Sequence, residues 1–156
     1  MRLAVLVGIL APLAACGGSS DDVDSIPGSY NCAADPRGET YVVGLDHTGE
    51  MGAVDFKLMS STPAPPARDD NSWVVQLSSM SNGVVGSPMV GATLSVSTYM
   101  PDHMHGGVKT VHVTDNGDGT YTLDPVNFWM PGYWQTTITV SGTTTDKVVY
   151  GFCIAS

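Results

Sequence analysis

Positive charge is scarce in this 156-residue chain. Six Lys and Arg stand against 15 Asp and Glu, for a formal net charge of −9. A chain so acidic repels nucleic acid and anionic lipid headgroups, so neither is expected as a partner. Cysteine is scarce as well: there are three, and no two are spaced C-x-x-C, which argues against a cysteine-based metal cluster. No G-x-S-x-G elbow and no H-E-x-x-H helix motif occurs. The chain therefore lacks the usual marks of an activated serine or a hydrolytic zinc, and no catalysis is expected of it. Long apolar runs are missing beyond the N-terminus. The one that exists there is shorter than the roughly 20 residues a membrane-spanning helix needs.

That N-terminal run, "MRLAVLVGILAPLAAC", begins with a charge at Arg2, continues apolar and closes on small residues, the order of a secretory signal. Leu13-Ala14-Ala15-Cys16 resembles a bacterial lipobox. The resemblance implies removal of residues 1–15 and acylation of Cys16, so that membrane lipid becomes a partner through that residue. Several acyl chains on one residue anchor stably where a single chain does not. Losing Arg2 takes the net charge one unit further, to −10. Gly17, rather than Asp, follows Cys16; by resemblance to enteric sorting rules this favours the periplasmic face of the outer membrane. With Cys16 lipidated, Cys32 and Cys153 remain, and an oxidising compartment would join them.

After Cys16 the segment "GGSSDDVDSIPGSYN" is rich in Gly, Ser and Asp and reads as a solvated tether over 16–37. The folded domain is expected over 38–156. There, short runs separated by turn residues alternate with a period of two. In "ATLSVST", Leu94 and Val96 alternate with Thr93, Ser95 and Ser97; in "YWQTTITV", Trp134, Ile138 and Val140 share one parity. Such alternation means half-buried strands, and seven or eight of them suggest an antiparallel β-sandwich. Pro63, Pro65 and Pro66 break the pattern into a loop. "DNGDGTY", Asp115 to Tyr121, reads as a tight hairpin turn; its spacing fails as a calcium loop, because Gly falls at ligand positions. His47 reads as a turn residue and His112 as an outward strand residue.

Four His serve the whole chain, and two of them lie in "YMPDHMHGG", Tyr99 to Gly107, together with two Met. Pro101 and Gly106-Gly107 make this stretch a connection between strands. His103 and His105, two apart, share a side if the backbone is extended. Met100 and Met104 add soft thioether sulfur, which favours Cu(I), while imidazole suits either copper oxidation state or zinc. Zinc prefers Cys, His and carboxylate, so the Met enrichment points to copper. Asp102 is a candidate oxygen ligand or an acceptor that orients a ring. Met130, in "FWMPGYW", completes the set if both connections lie at one end of the sandwich, with Trp129 or Trp134 shielding the ion. The plainer alternative is a polar turn with a packed Met.

The segment from Val54 to Val140 resembles the YtkA-like domain, related to FixH and CopC-type periplasmic proteins. The resemblance rests on Asn71 with Trp73, Gly91-Ala92, Met100-Pro101 with His105-Gly106, Gly117-Asp118-Gly119 with Tyr121, and Phe128, Met130, Gly132 and Trp134. Departures are His103, where another Met or a small residue stands, and Leu94 in place of Val. The resemblance implies an immunoglobulin-like sandwich without catalysis, found beside copper transport or oxidase-assembly proteins. The function so expected is a lipid-anchored envelope protein that binds or delivers copper through Met100, His103, Met104, His105 and Met130. The alternative is a metal-free interaction or scaffold module.

Overall fold

The computed structural model describes residues 30–156. The signal segment, Cys16 and most of the tether lie outside the described residues. Among the described residues no helix is long and apolar enough to cross a membrane.

Ten strands follow in order: β1 Leu45–Thr48, β2 Val54–Thr62, β3 Asp69–Ser81, β4 Val84–Pro88, β5 Thr93–Met100, β6 His105–Gly106, β7 His112–Asp115, β8 Thr120–Phe128, β9 Gly132–Ser141 and β10 Asp146–Ile154. Two short 3-10 turns, Cys32–Ala34 and Pro101–His103, complete the description. One sheet runs β1-β2-β3-β8-β7, with β4 added to the far end of β3; the other runs β10-β9-β5-β6. Every pairing is antiparallel. This is the expected immunoglobulin-like antiparallel β-sandwich, with ten strands among the described residues where seven or eight were expected; β4 is wholly exposed and β6 is two residues long, so neither shows an alternation.

The core lies between the sheets and follows the period-two pattern. Phe56 and Leu58 of β2, Trp73, Val75 and Leu77 of β3, and Tyr121 and Leu123 of β8 meet Trp134, Ile138 and Val140 of β9 and Tyr150 and Phe152 of β10. The period breaks once where it matters. Asp124-Pro125 interrupts β8, and pairing with β7 stops at Asp124, so the missing N–H of Pro125 breaks no ladder bond. The β3–β8 register shifts there, between Asn71 and Trp73. Val126 and Phe128 then continue into the core and deliver Trp129 and Met130 to the end of the sandwich.

The other sequence motifs are explained by the fold itself. The Asn71 side chain accepts from Ala67 N and donates to the carbonyls of Ala67, Asp69 and Val126, so it staples the Pro-rich loop at the bulge. Ala92 N donates to the Tyr121 hydroxyl, which donates to Met89 O at 2.7 Å. Gly91 N donates to Asp115. The Gly-Ala and Gly-Asp-Gly motifs thus lock one hairpin to the other sheet. Asp118 is spent on Thr120 N and its hydroxyl, a turn device rather than a cation ligand.

Residues from Tyr30 onward lie against the sandwich, and Cys32 is joined to Cys153 with the Cα atoms 5.5 Å apart. Gly38 passes so near Cys153 that a Cβ there would stand 2.9 Å from the Cys153 backbone N.

Candidate functional site

The two Met-bearing connections converge on the same end of the molecule. β5 ends at Met100, the 3-10 turn Pro101–His103 follows, and Met104 adopts a left-handed conformation (φ 53°, ψ 38°) before His105 pairs back onto Met100 in β6. The opposite connection brings Trp129 and Met130 from β8 and Gly132 and Trp134 from β9. The His105 ring lies 4.9 Å from the Trp129 ring, inclined at 31°, and 5.7 Å from Trp134, edge to face. Trp134 donates its indole N–H to Met130 O at 2.9 Å, which fixes the second connection under the first.

The five residues singled out in the sequence are sorted by this geometry. His105 Nδ1 stands 3.1 Å from Gly106 O, so it donates there as the Nδ1–H tautomer. That leaves Nε2 with a lone pair, and Nε2 is buried with no hydrogen-bond partner. Trp129 Nε1, an N–H donor, is also buried without a partner. A buried polar atom without a partner is costly, and a ring held by one nitrogen with the other open is the usual arrangement of a metal-ligating histidine. His103 is exposed and its ring centroid lies 5.8 Å from that of His105. The extended backbone expected between them is replaced by a tight turn, because Pro101 starts the 3-10 geometry and Met104 reverses the chain. Met104 is 81% exposed. Met130 is half-buried and packs on the core.

Met100 is the most deeply buried of the five. It is the last residue of β5, fully buried in the core, with its terminal methyl seated against Gly132. Its parity in β5 turns it inward, so it packs beneath the turn and is closed to solvent. Among the described residues no group of three or more His, Cys, Asp or Glu is placed to hold a metal. The donors this end of the sandwich offers are imidazole nitrogen and thioether sulfur.

Asp102 is committed elsewhere. Arg37 grips it with two hydrogen bonds of 2.7 Å from its two terminal nitrogens. Arg37 also reaches Asp35 at 2.6 Å and lies 4.6 Å above the Tyr133 ring centroid. Tyr30 donates to Asp35 at 2.6 Å. These donors hold Asp102 and Asp35 below the ordinary carboxylate range, while the bond to Asp35 pushes the Tyr30 hydroxyl up. Bidentate guanidinium–carboxylate contact is the strong form of an exposed ion pair. Sequence reading missed this partnership, since nothing local links residues 65 apart. His47, read as a turn residue, instead sits in β1 and pairs with Glu39 at 2.6 Å. His112 is exposed on β7 as expected.

Two solved structures resemble the chain in arrangement. One is a copper-bound variant of FetP from uropathogenic Escherichia coli, 11% identical, covering 77% of this chain and 91% of that one at a TM-score of 0.42. The other is FetP as isolated, 11% identical, covering 78% and 97%, at a TM-score of 0.39. No curated protein matches. The YtkA-like family model matches residues 50–139, more than half of the chain. The match spans β2 to β9 and takes in both connections that form the site, so the chain belongs to the YtkA-like family.

Proposed function

We propose that this is an extracytoplasmic lipoprotein, anchored through Cys16, that binds copper at the His103–His105 end of its sandwich and passes it to a copper transport or oxidase-assembly protein. The observation that carries the reading is His105: its Nδ1 is occupied by Gly106 O and its Nε2 is buried without a partner. An imidazole so arranged is ready to donate a lone pair, and His103, Met104 and Met130 stand on the same two connections. Their softness suits Cu(I), and the two imidazoles accommodate Cu(II). Met100 forms the apolar floor. The exposed position of His103 and Met104 suits ligand exchange with a partner, since donors at a surface turn can be surrendered without opening the core. Copper would supply no reaction of its own here; it is cargo.

Copper titration tests this. The full chain is expected to bind one copper ion more tightly than micromolar, with quenching of tryptophan emission because Trp129 and Trp134 flank His105. His103→Ala with His105→Ala is expected to abolish both the binding and the quenching while the far-ultraviolet circular dichroism is unchanged. Binding weaker than micromolar in the unaltered protein refutes the proposal.

A second reading has its own observation. Tyr99, Met104 and Val108, at 41%, 81% and 68% exposed, place apolar surface around the turn, which suits a metal-free docking face. On that reading the double His variant keeps its protein partner and shows no copper effect at all.

A further inference from the structure

The His/Met turn is held from outside by a segment that the sequence assigns to the tether. Tyr30 to Arg37 crosses the end of the sandwich and touches both connections of the candidate site. Arg37 donates to Asp102 in the turn from both terminal nitrogens, and the Tyr30 hydroxyl oxygen, whose proton goes to Asp35, lies 3.4 Å from the same carboxylate. The Tyr30 ring stands 3.7 Å from where a Cβ on Gly132 would sit, beside the methyl of Met100. Arg37 also caps Tyr133, the neighbour of Trp134. The turn's own anchors are few: Met104 N donates to Pro101 O at 3.3 Å, Gly107 N donates to Thr98 O at 2.9 Å, β6 is two residues long, and the His105 ring packs on Trp129 and Trp134. The segment, in turn, buries none of the residues of its 3-10 turn Cys32–Ala34. It is attached covalently through Cys32 to Cys153 on β10, and just beyond it Glu39 N donates to Gly151 O at 2.7 Å while the Glu39 carboxylate accepts from Gly151 N.

Both sulfur-bearing residues line an open cleft of about 390 Å³, together with Tyr41, Pro66, Arg68 and Phe152. A dithiol can therefore reach the bond. A thiolate of that dithiol attacks one sulfur, the Cys32–Cys153 bond breaks, and a mixed disulfide forms. The second thiol of the reductant then displaces the cysteine. The protein gains two electrons and two protons as two thiols, and the reductant leaves as a disulfide.

We propose that Tyr30–Arg37 is a strap latched by Cys32–Cys153, and that Arg37 is the positioning residue through which the latch sets the order of the His103–His105 turn. Closing the bond keeps the guanidinium on Asp102 and the imidazoles in place. Opening it by a dithiol frees the strap, loosens the turn and speeds the release of an ion held there. The copper clause rests on the function proposed above; the coupling of disulfide to turn does not.

The deciding experiment is amide hydrogen exchange on the full chain without metal, oxidised and then reduced with dithiothreitol. Reduction is expected to speed exchange at residues 99–107 at least tenfold while residues 134–140 of β9 stay protected. Arg37→Gln in the oxidised chain is expected to reproduce the change, and reducing that variant to add nothing further at 99–107. With copper loaded, Arg37→Gln is expected to raise the rate of transfer to a chelator about tenfold with the thermal midpoint unmoved. If the reduced chain loses protection throughout, the oxidised Arg37→Gln decides alone: faster exchange confined to the turn supports the strap, and unchanged exchange there overturns it. Exchange that responds in a chain that binds no copper upholds the strap and removes the copper reading.

Discussion

Asp146 illustrates what a single buried carboxylate does here. It is 1% exposed and opens β10. Its two oxygens accept from Met51 N and Lys147 N at 2.8 Å, Ala53 N at 2.8 Å and Val54 N at 3.0 Å, so it ties the β1–β2 turn to the other sheet. Gly49 packs directly against the carboxylate, leaving no room for a side chain. Burial opposes the charge, yet the four N–H donors outweigh it and the pKa falls below its ordinary 3.8. The folded-state value is thus below the unfolded one. Its contribution is complete above about pH 4 and is lost as pH drops through the lower folded value. Asp55 works in the opposite sense, since burial and neighbouring Asp46 raise its pKa; its cost is felt above that raised value and relieved on acidification. Asp146→Ala is expected to cost about 3 kcal/mol at pH 7, because it strips charged acceptors from buried donors. Urea unfolding at pH 7 and pH 3 checks this: the gap between variant and parent should narrow at pH 3.

At the scale of elements, β3 and β4 meet through a two-residue turn. Ser81 pairs with Val84, and Asn82 and Gly83 both take positive φ, 51° and 76°. That is the turn whose twist matches antiparallel strands, and Asn-Gly is its preferred sequence. Gly83→Ala is expected to cost about 1 kcal/mol, since a Cβ is disfavoured there although it would meet no neighbour; thermal unfolding of the variant measures it. The sequence reading passed over this Asn-Gly signal, and the strand after it carries none. All five residues of β4 are exposed, so no alternation marks it. β5 and β9 were legible because Leu94 and Val96, or Trp134, Ile138 and Val140, repeat on one face. The His/Met stretch was legible as a connection and in its ligand types. Its shape was not, because the left-handed Met104 and the inward Met100 depend on how β6 returns to β5 and on the Gly132 seat across the sandwich.

At the scale of the whole molecule, one covalent link closes a loop of 121 residues. The two cysteines could be paired from the sequence by elimination, once Cys16 was given to lipid. What the pairing does could not, because the strap acts through Arg37 and Asp102, an ion pair that leaves no local pattern. In the chain-entropy account a loop that long contributes about 5 kcal/mol by restricting the unfolded chain. Guanidinium unfolding with and without dithiothreitol is expected to show a loss of that order, and an equal midpoint in both would contradict it.

The two ends of the described chain also meet: Tyr30 N donates to the Ser156 hydroxyl at 3.0 Å, and the disulfide lies two residues in from one end and three from the other. A pull applied between those ends runs from Cys32 straight to Cys153 and out again. The strands in between bear none of that load, so a force between those two ends does not shear the core.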